Sequence, residues 1–200
     1  MILNENDVHV YCFNKGNHYE DVKKILSYYL DAEPQSITIS RNINGKPVLS
    51  GEYEGKLYFN ISHTQNKVML AVASRPVGID FESVKRKIDF KPILKRYFSS
   101  IEQEDFNDAV SKTELTESEI FFRGWVKKES ILKAVGIGLS GIKDYEISFS
   151  NSDSSYCYNG EKYRITDFTP EKDYCASVAY KGSKLNIVMV PNTVTEWFTN

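Results

Sequence analysis

Short apolar runs, some of which alternate with polar residues, predict a series of β-strands along this chain. In the first part of the chain they fall at residues 7–13, 36–40, 56–62, 67–74 and 77–84. In the second part they fall at residues 145–150, 162–168, 174–180 and 185–190. The Asn44-Gly45 pair predicts a tight turn, and residues 63–66 predict a short polar loop between two of the strands.

Helical periodicity predicts a first helix over residues 19–30, where apolar side chains recur three and four positions apart. A later helix is predicted to begin at Ile101, because Ser100 and Gln103 have the spacing of a capping box. These helices interrupt the strands without a regular alternation of strand and helix.

The clearest helix follows a second capping box, formed by Thr116 and Glu119. Gly136 and Gly138 predict its C-terminal end, since glycine readily adopts the left-handed conformation that stops a helix. The irregular order of elements favours an α+β fold. We expect two halves, residues 1–76 and 77–200, each with helices packed on a small, mainly antiparallel sheet.

Composition narrows the functional classes. The 200 residues carry a net charge of −2 with a sequence pI of about 6.0, which gives no basic bias toward nucleic acid. The three cysteines are scattered without a CxxC pair, so neither a zinc site nor a disulfide framework is indicated. The sequence shows neither a secretory leader nor an apolar run of membrane-spanning length, so we expect a cytoplasmic protein that does not bind membranes.

Two acidic residues stand in the predicted strand 77–84. Asp80 and Glu82 are two positions apart, so both side chains face the same side of that strand. Converging carboxylates repel each other unless a cation or a proton lies between them, and Mg²⁺ prefers oxygen ligands. The alternative is that the two residues lie at a strand end, in water or paired with Lys85 or Arg86.

The long helix offers a third carboxylate. One helical face, which is apolar at two positions, also carries Glu129 and Lys133. Glu129 would then lie at the edge of the core with Lys133 one turn further on, while Lys128 lies one residue round the helix. The alternative is an ordinary salt bridge between Glu129 and Lys133.

Ser62 and His63 follow a strand that is expected to be buried. A serine hydroxyl and a histidine at a strand exit can both donate to a phosphate, although His63 could equally be an ordinary turn residue. The chain contains neither a G-x-S-x-G elbow nor a Walker or dinucleotide-binding glycine motif. Serine hydrolase and nucleotide-binding P-loop chemistry are therefore not supported.

Five segments occur in an order and at spacings that resemble one family. They are GKP (45–47), FNISH (59–63), VGIDFE (77–82), RYFSSIE (96–102) and WVKKESILKAVGIGLS (125–140). Together they resemble the successive motifs of the 4′-phosphopantetheinyl transferases, in particular the long, monomeric type that activates surfactin synthetase and related peptide synthetases. The resemblance covers residues 45 to about 149.

The resemblance implies transfer of the phosphopantetheine arm of coenzyme A to a serine of an acyl, peptidyl or polyketide carrier protein, with release of adenosine 3′,5′-bisphosphate. It implies a pseudo-twofold pair of α+β halves with coenzyme A between them. It also implies that Mg²⁺ is the cofactor and is held against the coenzyme A diphosphate by Asp80, Glu82 and Glu129.

Further roles follow from the same resemblance. Ser62 and His63 would meet a coenzyme A phosphate, and Gly45, Lys46 and Pro47 would lie beside the nucleotide end. Lys133 would meet the phosphates near the reacting bond, with Lys128 as a possible neighbour. Glu102 and Glu129 are both candidates for the base that deprotonates the carrier serine, directly or through water.

The region before Gly45 is shorter than is typical for the long type, and an arginine-rich helical segment is missing from it. Basic residues that could substitute at the adenosine end are Lys15, Lys23, Lys24 and Arg41. Two other functions stay open from the sequence. One is a metal-dependent nucleotide phosphodiesterase or pyrophosphatase, and the other is a non-catalytic module that binds a carrier protein or coenzyme A.

Overall fold

A computed structural model of the protein describes residues 2–16, 18–138, 141–143 and 145–191. The helices are α1 (His18–Leu30), α2 (Lys91–Tyr97), α3 (Ser100–Lys112) and α4 (Glu117–Val135). The strands are β1 (Asp7–Asn14), β2 (Thr38–Arg41), β3 (Pro47–Ser50), β4 (Tyr58–Thr64), β5 (Lys67–Ala73), β6 (Val77–Ser83), β7 (Asp153–Tyr158), β8 (Glu161–Phe168), β9 (Tyr174–Lys181) and β10 (Asn186–Met189). Short 3₁₀ turns lie at Pro34–Ser36 and Gly51–Tyr53.

The first four-stranded sheet has the order β10-β1-β5-β4. The pairs β1–β5 and β5–β4 are antiparallel, whereas β10 pairs with β1 in parallel. Helix α1 packs on this sheet through Val22, Ile25 and Leu26, which share an apolar cluster with Leu70 and Val72 of β5. The apolar positions of α1 recur at helical spacing, so one face of the helix meets the sheet.

A separate two-stranded hairpin, β2–β3, carries the predicted turn at its tip. The Gly45 N–H donates to the carbonyl of Asn42, and Gly45 has a φ of +83°. Glycine tolerates this left-handed conformation, which a tight hairpin turn requires here. The predicted turn at Asn44-Gly45 is therefore confirmed.

The second four-stranded sheet, β6-β9-β8-β7, is antiparallel throughout. Helix α4 lies directly on it at Gly78 of β6. A Cβ atom at Gly78 would be 2.1 Å from the carbonyl oxygen of Ser130 and 2.3 Å from the backbone nitrogen of Ala134. The absent side chain thus lets the backbones of β6 and α4 approach each other closely.

The two large sheets meet where β4 and β6 run side by side. The side chain of Asn60 accepts from the N–H of Ile79, at 2.8 Å. Further along the same direction, Ser62 donates to Asp80 and Thr64 donates to Glu82, at 2.6 Å and 2.7 Å. Side chains from alternate positions of β4 therefore join the two sheets, and the bonded pairs advance in the same chain direction along β4 and β6.

The α+β class and the mainly antiparallel sheets are confirmed, and so are most of the predicted strands. The pseudo-twofold relation stays a prediction, as does the division at residues 76 and 77. Strand β10 comes from the later half of the chain but pairs with β1. The last two residues of the WVKKESILKAVGIGLS segment, Leu139 and Ser140, lie outside the described residues.

The capping box of α3 lies one residue earlier than predicted. The side chain of Ser99, not Ser100, accepts from the N–H of Glu102, and Glu102 accepts from the N–H of Ser99. The predicted box of α4 is confirmed at Thr116 and Glu119. Its predicted C-terminal stop is confirmed as well, because Gly136 has a φ of +80° and its N–H donates to the Leu132 carbonyl.

The strand predicted at residues 145–150 is wrong, because this segment runs without strand pairing. Its N–H groups donate to carboxylates of α3 instead: Ile147 to Glu102 and Phe149 to Asp105. Strand β7 was not predicted, since its serine-rich sequence has little apolar alternation.

No helix within the described ranges combines the length and the apolar character needed to cross a membrane.

Candidate active site

A pocket of about 230 Å³ lies between the tip of the β2–β3 hairpin, strand β4 and the C-terminal part of α4. Five of its residues were predicted as site residues from the sequence: Gly45, Lys46, Pro47, Glu129 and Lys133. The remaining lining residues are Asn44, Asn60, Ile61, Leu132, Gly136 and Gly138. We refer to this as the central pocket.

Lys133 connects α4 to β6 and β4 beside the central pocket. Its Nζ donates to Oδ1 of Asp80 at 2.6 Å and to Oγ of Ser62 at 3.1 Å. Ser62 also donates to Oδ1 of Asp80, at 2.6 Å. Asp80 and Ser62 are buried, whereas the Lys133 side chain is 26% exposed and lines the central pocket.

Glu82 lies next to Asp80 on the same side of β6, as the sequence predicted, while Ile79 and Phe81 face the apolar core. One oxygen of Glu82 accepts from Thr64, and the other accepts from Arg86 at 2.8 Å. The proposed alternative of a basic partner is thus observed for Glu82 with Arg86. Burial raises the pKa of Glu82 above its usual range, and the charge of Asp80 adds to this effect.

Glu129 lies on α4 one turn before Lys133 and lines the central pocket. Burial raises its pKa to about 7, and the negative charges of Asp80 and Glu82 contribute to the increase. The sequence left open a salt bridge between Glu129 and Lys133, but the ion pair of Lys133 is made with Asp80. Three carboxylates thus act on one another at this end of the pocket.

Lys46 contributes a further positive charge to the central pocket. Its Nζ donates to the carbonyl of Val77 at 3.0 Å, at the start of β6. Burial lowers its pKa to about 8, and the neighbouring charge of Lys133 acts in the same direction. An anionic ligand in the pocket would favour the charged form of Lys46.

His63 and Ser62 face opposite sides of β4. The Ser62 side chain is buried against Asp80, whereas His63 is exposed and stacks with His18, with ring centroids 6.3 Å apart. Partial loss of hydration lowers the pKa of His63, and the nearby charges of Lys15 and Lys133 act in the same direction. His63 is therefore on the surface beside α1 rather than in the central pocket.

Glu102 and Lys128 are not brought to the central pocket. They form an ion pair of 2.9 Å in the core, where they are 1% and 0% exposed. Lys128 also donates to the carbonyls of Ile142 and Tyr145, and Glu102 accepts from the N–H groups of Ser99 and Ile147. The ion pair therefore joins α3 to α4. The further bonds of both residues hold the segment after α4, at Ile142, Tyr145 and Ile147, against the two helices.

Among the possible substitutes at the adenosine end, Arg41 and Lys23 line a second cavity of about 420 Å³. This cavity adjoins the central pocket, because Pro47 lines both. Arg41 donates to the carbonyl of Gly45 and to the hydroxyl of Tyr19. Lys23 of α1 and Arg41 of β2 thus place basic side chains in the cavity next to the pocket that Lys46 lines.

Sequence reasoning missed three polar residues of the site. Asn60 and Thr64 bond to β6, and Asn44 lines the central pocket. The signal for the first two was present, because Asn60, Ser62 and Thr64 are polar at alternate positions of an otherwise apolar strand. Asn44 stood in a predicted turn, where asparagine is common for local reasons.

Asp80, Glu82 and Glu129 are the carboxylates that could hold Mg²⁺ beside the central pocket. Among the described residues, no three histidine, cysteine, aspartate or glutamate side chains stand arranged as a metal site. The chemistry of Asp80, Glu82 and Glu129 nevertheless fits a hard cation, because these side chains supply only oxygen ligands. The repulsion among the three carboxylates also favours a positive charge between them. Lys133 and Arg86 now balance part of that negative charge.

A family model described as the 4′-phosphopantetheinyl transferase superfamily matches residues 76–179. This range contains β6 with Asp80 and Glu82, and α4 with Glu129. It leaves out the β2–β3 hairpin and β4, which supply the other wall.

Curated relatives extend the similarity to most of the chain. The 4′-phosphopantetheinyl transferase HetI of Nostoc is 31% identical over 163 residues, which cover 80% of this chain and 68% of the relative. The 4′-phosphopantetheinyl transferase gsp of Aneurinibacillus migulanus is 28% identical and covers 83% and 69%. The 4′-phosphopantetheinyl transferase Sfp of Bacillus subtilis is 34% identical over 119 residues, which cover 60% of this chain and 50% of the relative. The chain belongs to the 4′-phosphopantetheinyl transferase superfamily.

Proposed function

We propose that this protein transfers the 4′-phosphopantetheine moiety of coenzyme A to a serine of an acyl, peptidyl or polyketide carrier protein. The observation that carries the proposal is the meeting of Glu129, Lys133 and Lys46 in one pocket, with Asp80 bonded to Lys133. Carboxylates and lysines together suit a diphosphate substrate with an attacking hydroxyl. Membership in the superfamily supports the same reaction.

In this reaction the serine oxygen bonds to the phosphorus next to pantetheine, and the bond to the adenosine-side phosphate breaks. Adenosine 3′,5′-bisphosphate leaves with the electron pair of the broken bond, and the serine proton passes to a base. We assign that base to Glu129, directly or through a water molecule. Glu129 is chosen because its carboxylate lines the central pocket, whereas Glu102 is bonded in the core.

We assign Asp80, Glu82 and Glu129 to hold Mg²⁺, which when bound would neutralise charge on the coenzyme A diphosphate. Ser62 and Thr64 orient Asp80 and Glu82 through hydrogen bonds of 2.6 Å and 2.7 Å. Lys133 is assigned to the phosphates at the reacting bond, since its amine bonds to Asp80, one of the carboxylates assigned to Mg²⁺. Such fixed charges stabilise the charge that develops as the bond breaks.

The other residues predicted from the sequence are assigned either to outer parts of coenzyme A or to structural support. Gly45, Lys46 and Pro47 are assigned to the nucleotide end, because they line the central pocket at the boundary with the second cavity. His63, on the surface next to Lys15, is assigned to an outer phosphate rather than to the reacting bond. Glu102 and Lys128 are proposed to support α4 structurally, because their polar atoms are already bonded in the core.

The protein is proposed to work as a cytoplasmic monomer. Its cysteines Cys12, Cys157 and Cys175 are free thiols, which suits a reducing compartment. Size-exclusion chromatography with light scattering tests the monomer, and an oligomer at micromolar concentration would contradict it.

The transfer is tested by incubating purified protein with coenzyme A, Mg²⁺ and a panel of fatty-acid, polyketide and peptide carrier proteins. The expected result is a carrier heavier by one phosphopantetheine arm in intact-mass spectrometry. Unchanged mass for every carrier would overturn the proposal. Release of adenosine 3′,5′-bisphosphate without a carrier would indicate a phosphodiesterase instead, and tight carrier binding without turnover would indicate a binding module.

A further inference from the structure

One hydrogen bond joins the two walls of the central pocket across a long stretch of sequence. The side-chain amide of Asn44, at the tip of the β2–β3 hairpin, donates to the carbonyl oxygen of Gly136 at 2.6 Å. Gly136 is the residue that ends α4, and both residues line the pocket. The side chain of Asn42 also approaches the place where a Cβ of Gly136 would stand, at 3.4 Å.

The hairpin does not need the Asn44 side chain for its own turn. Asn42 provides the local bonds: its Oδ1 accepts from the N–H groups of Asn44 and Lys46. Its backbone N–H donates to the carbonyl of Lys46, and its carbonyl accepts from Gly45. The Asn44 amide is thus free of the turn and is directed to another element.

The carbonyl of Gly136 in turn needs a partner from outside the helix. The last carbonyls of a helix have no donor within the helix, and Gly136 has the left-handed conformation that follows the final turn. Asn44 supplies the missing donor. The bond also fixes where the chain leaves α4 and continues to Gly138, a further lining residue of the pocket.

We propose that Asn44 is a positioning residue that holds the hairpin wall, with Lys46, at a set distance from the helix wall, with Glu129 and Lys133. The inference rests on the proposed function, since its purpose is to keep the pocket preformed for coenzyme A. Lys46 and Lys133 carry like charges and line the same pocket from opposite walls, and the Asn44–Gly136 bond joins those walls without adding charge. Without it the hairpin tip moves away from α4 and the ligand must reassemble the pocket.

The test compares Asn44→Ala and Asn44→Asp with the wild-type protein. The aspartate has nearly the same shape but accepts rather than donates, and its charge is unfavourable at the C-terminal end of a helix. Both variants are expected to raise the KM for coenzyme A by about three- to tenfold, with kcat within about twofold, as expected for one lost hydrogen bond. Amide hydrogen exchange in the free protein is expected to accelerate both in residues 42–46 and in residues 133–138.

Ile43→Ala is the matched control, because Ile43 lies in the same turn and its side chain is 100% exposed. It is expected to leave KM and exchange at wild-type values. Unchanged exchange at residues 133–138 in both Asn44 variants would overturn the proposal, and so would an equal rise in KM in the control. If the wild-type protein modifies no carrier, the proposed function fails, and the exchange measurement alone then decides the role of Asn44.

Discussion

The amine of Lys133 lies 2.6 Å from Oδ1 of Asp80, which brings a helix residue and a strand residue together across more than a quarter of the chain. Ser62 bonds to both of them, so the three residues draw α4, β6 and β4 to one point. The charge of Asp80 is thereby balanced in a buried place. The contact both joins elements and positions the proposed phosphate-binding amine.

Replacing Lys133 by methionine is expected to reduce kcat/KM for coenzyme A by about 100-fold or more, since a fixed positive charge at the phosphates is lost. The measurement is the initial rate of carrier modification, made where circular dichroism shows the variant folded. Lys172→Met removes an exposed lysine and is expected to retain the wild-type rate. Similar rates for the two variants would refute the role of Lys133.

Gly78→Ala is expected to lower the free energy of unfolding by about 3 kcal/mol, because the new methyl group would overlap the backbone of α4. Urea denaturation measures the change. Gly16→Ala is the control, since a Cβ at Gly16 meets no atom within 4 Å, and its effect is expected to stay within about 0.5 kcal/mol. Equal stability of the two variants would show that α4 does not contact β6 in this way.

We expect the titration of Lys46 to set how kcat/KM for coenzyme A depends on pH. Its pKa of about 8 means that the free protein loses this charge as the pH rises through 8, so kcat/KM for coenzyme A is expected to fall there. Lys46→Arg keeps its charge throughout this range and is expected to remove that fall. A pH profile with the same midpoint in the variant would assign the titration to another group.

Lys46 also affects how the free energy of unfolding depends on pH. Its contribution to stability improves as the pH rises, whereas kcat/KM for coenzyme A is expected to fall. The pKa of Lys46 is lower in the folded protein than its unperturbed value of 10.5, so the unfolded chain binds the proton more tightly. Lys46 therefore opposes folding most below pH 8, and this effect is relieved as the pH rises from 8 to 10.5. Urea titrations of the wild type and of Lys46→Met at several pH values isolate the contribution.

Glu102→Gln is expected to destabilise the protein by about 3 kcal/mol, since it leaves the buried charge of Lys128 without its partner. The turnover rate is expected to stay within about tenfold of the wild type, because Glu102 is placed in the core and not at the central pocket. Glu104→Gln, an exposed position of the same helix, is the control for stability. If turnover by the folded variant instead falls by about 100-fold or more, Glu102 is the base.

The local parts of this architecture could be predicted from the sequence, because they follow from periodicity. Alternation placed Asp80 and Glu82 on one side of β6, and helical spacing placed Glu129 one turn before Lys133. The capping box at Thr116 and the stop at Gly136 are local as well. Each of these features depends on residues within a few positions of one another.

Contacts between distant residues could not be predicted in this way. The approach of α4 to Gly78 and the bond from Asn44 to Gly136 depend on tertiary packing, which periodicity does not encode. Residues 145–150 alternate like a strand, yet carboxylates of α3 take up the N–H groups of Ile147 and Phe149. Glu102 and Lys128 matched motif positions, but packing places both in the core.

Strand β10 has a consequence for how the protein forms on the ribosome. It pairs with β1, from Asp7 opposite Asn186 to Val10 opposite Met189, so β1 lacks this neighbour until β10 has been synthesised. The sheet β10-β1-β5-β4 therefore stays open along the β1 edge until β10 has left the ribosome. Nascent chains stalled before Asn186 should thus be more sensitive to protease in β1 than the released protein.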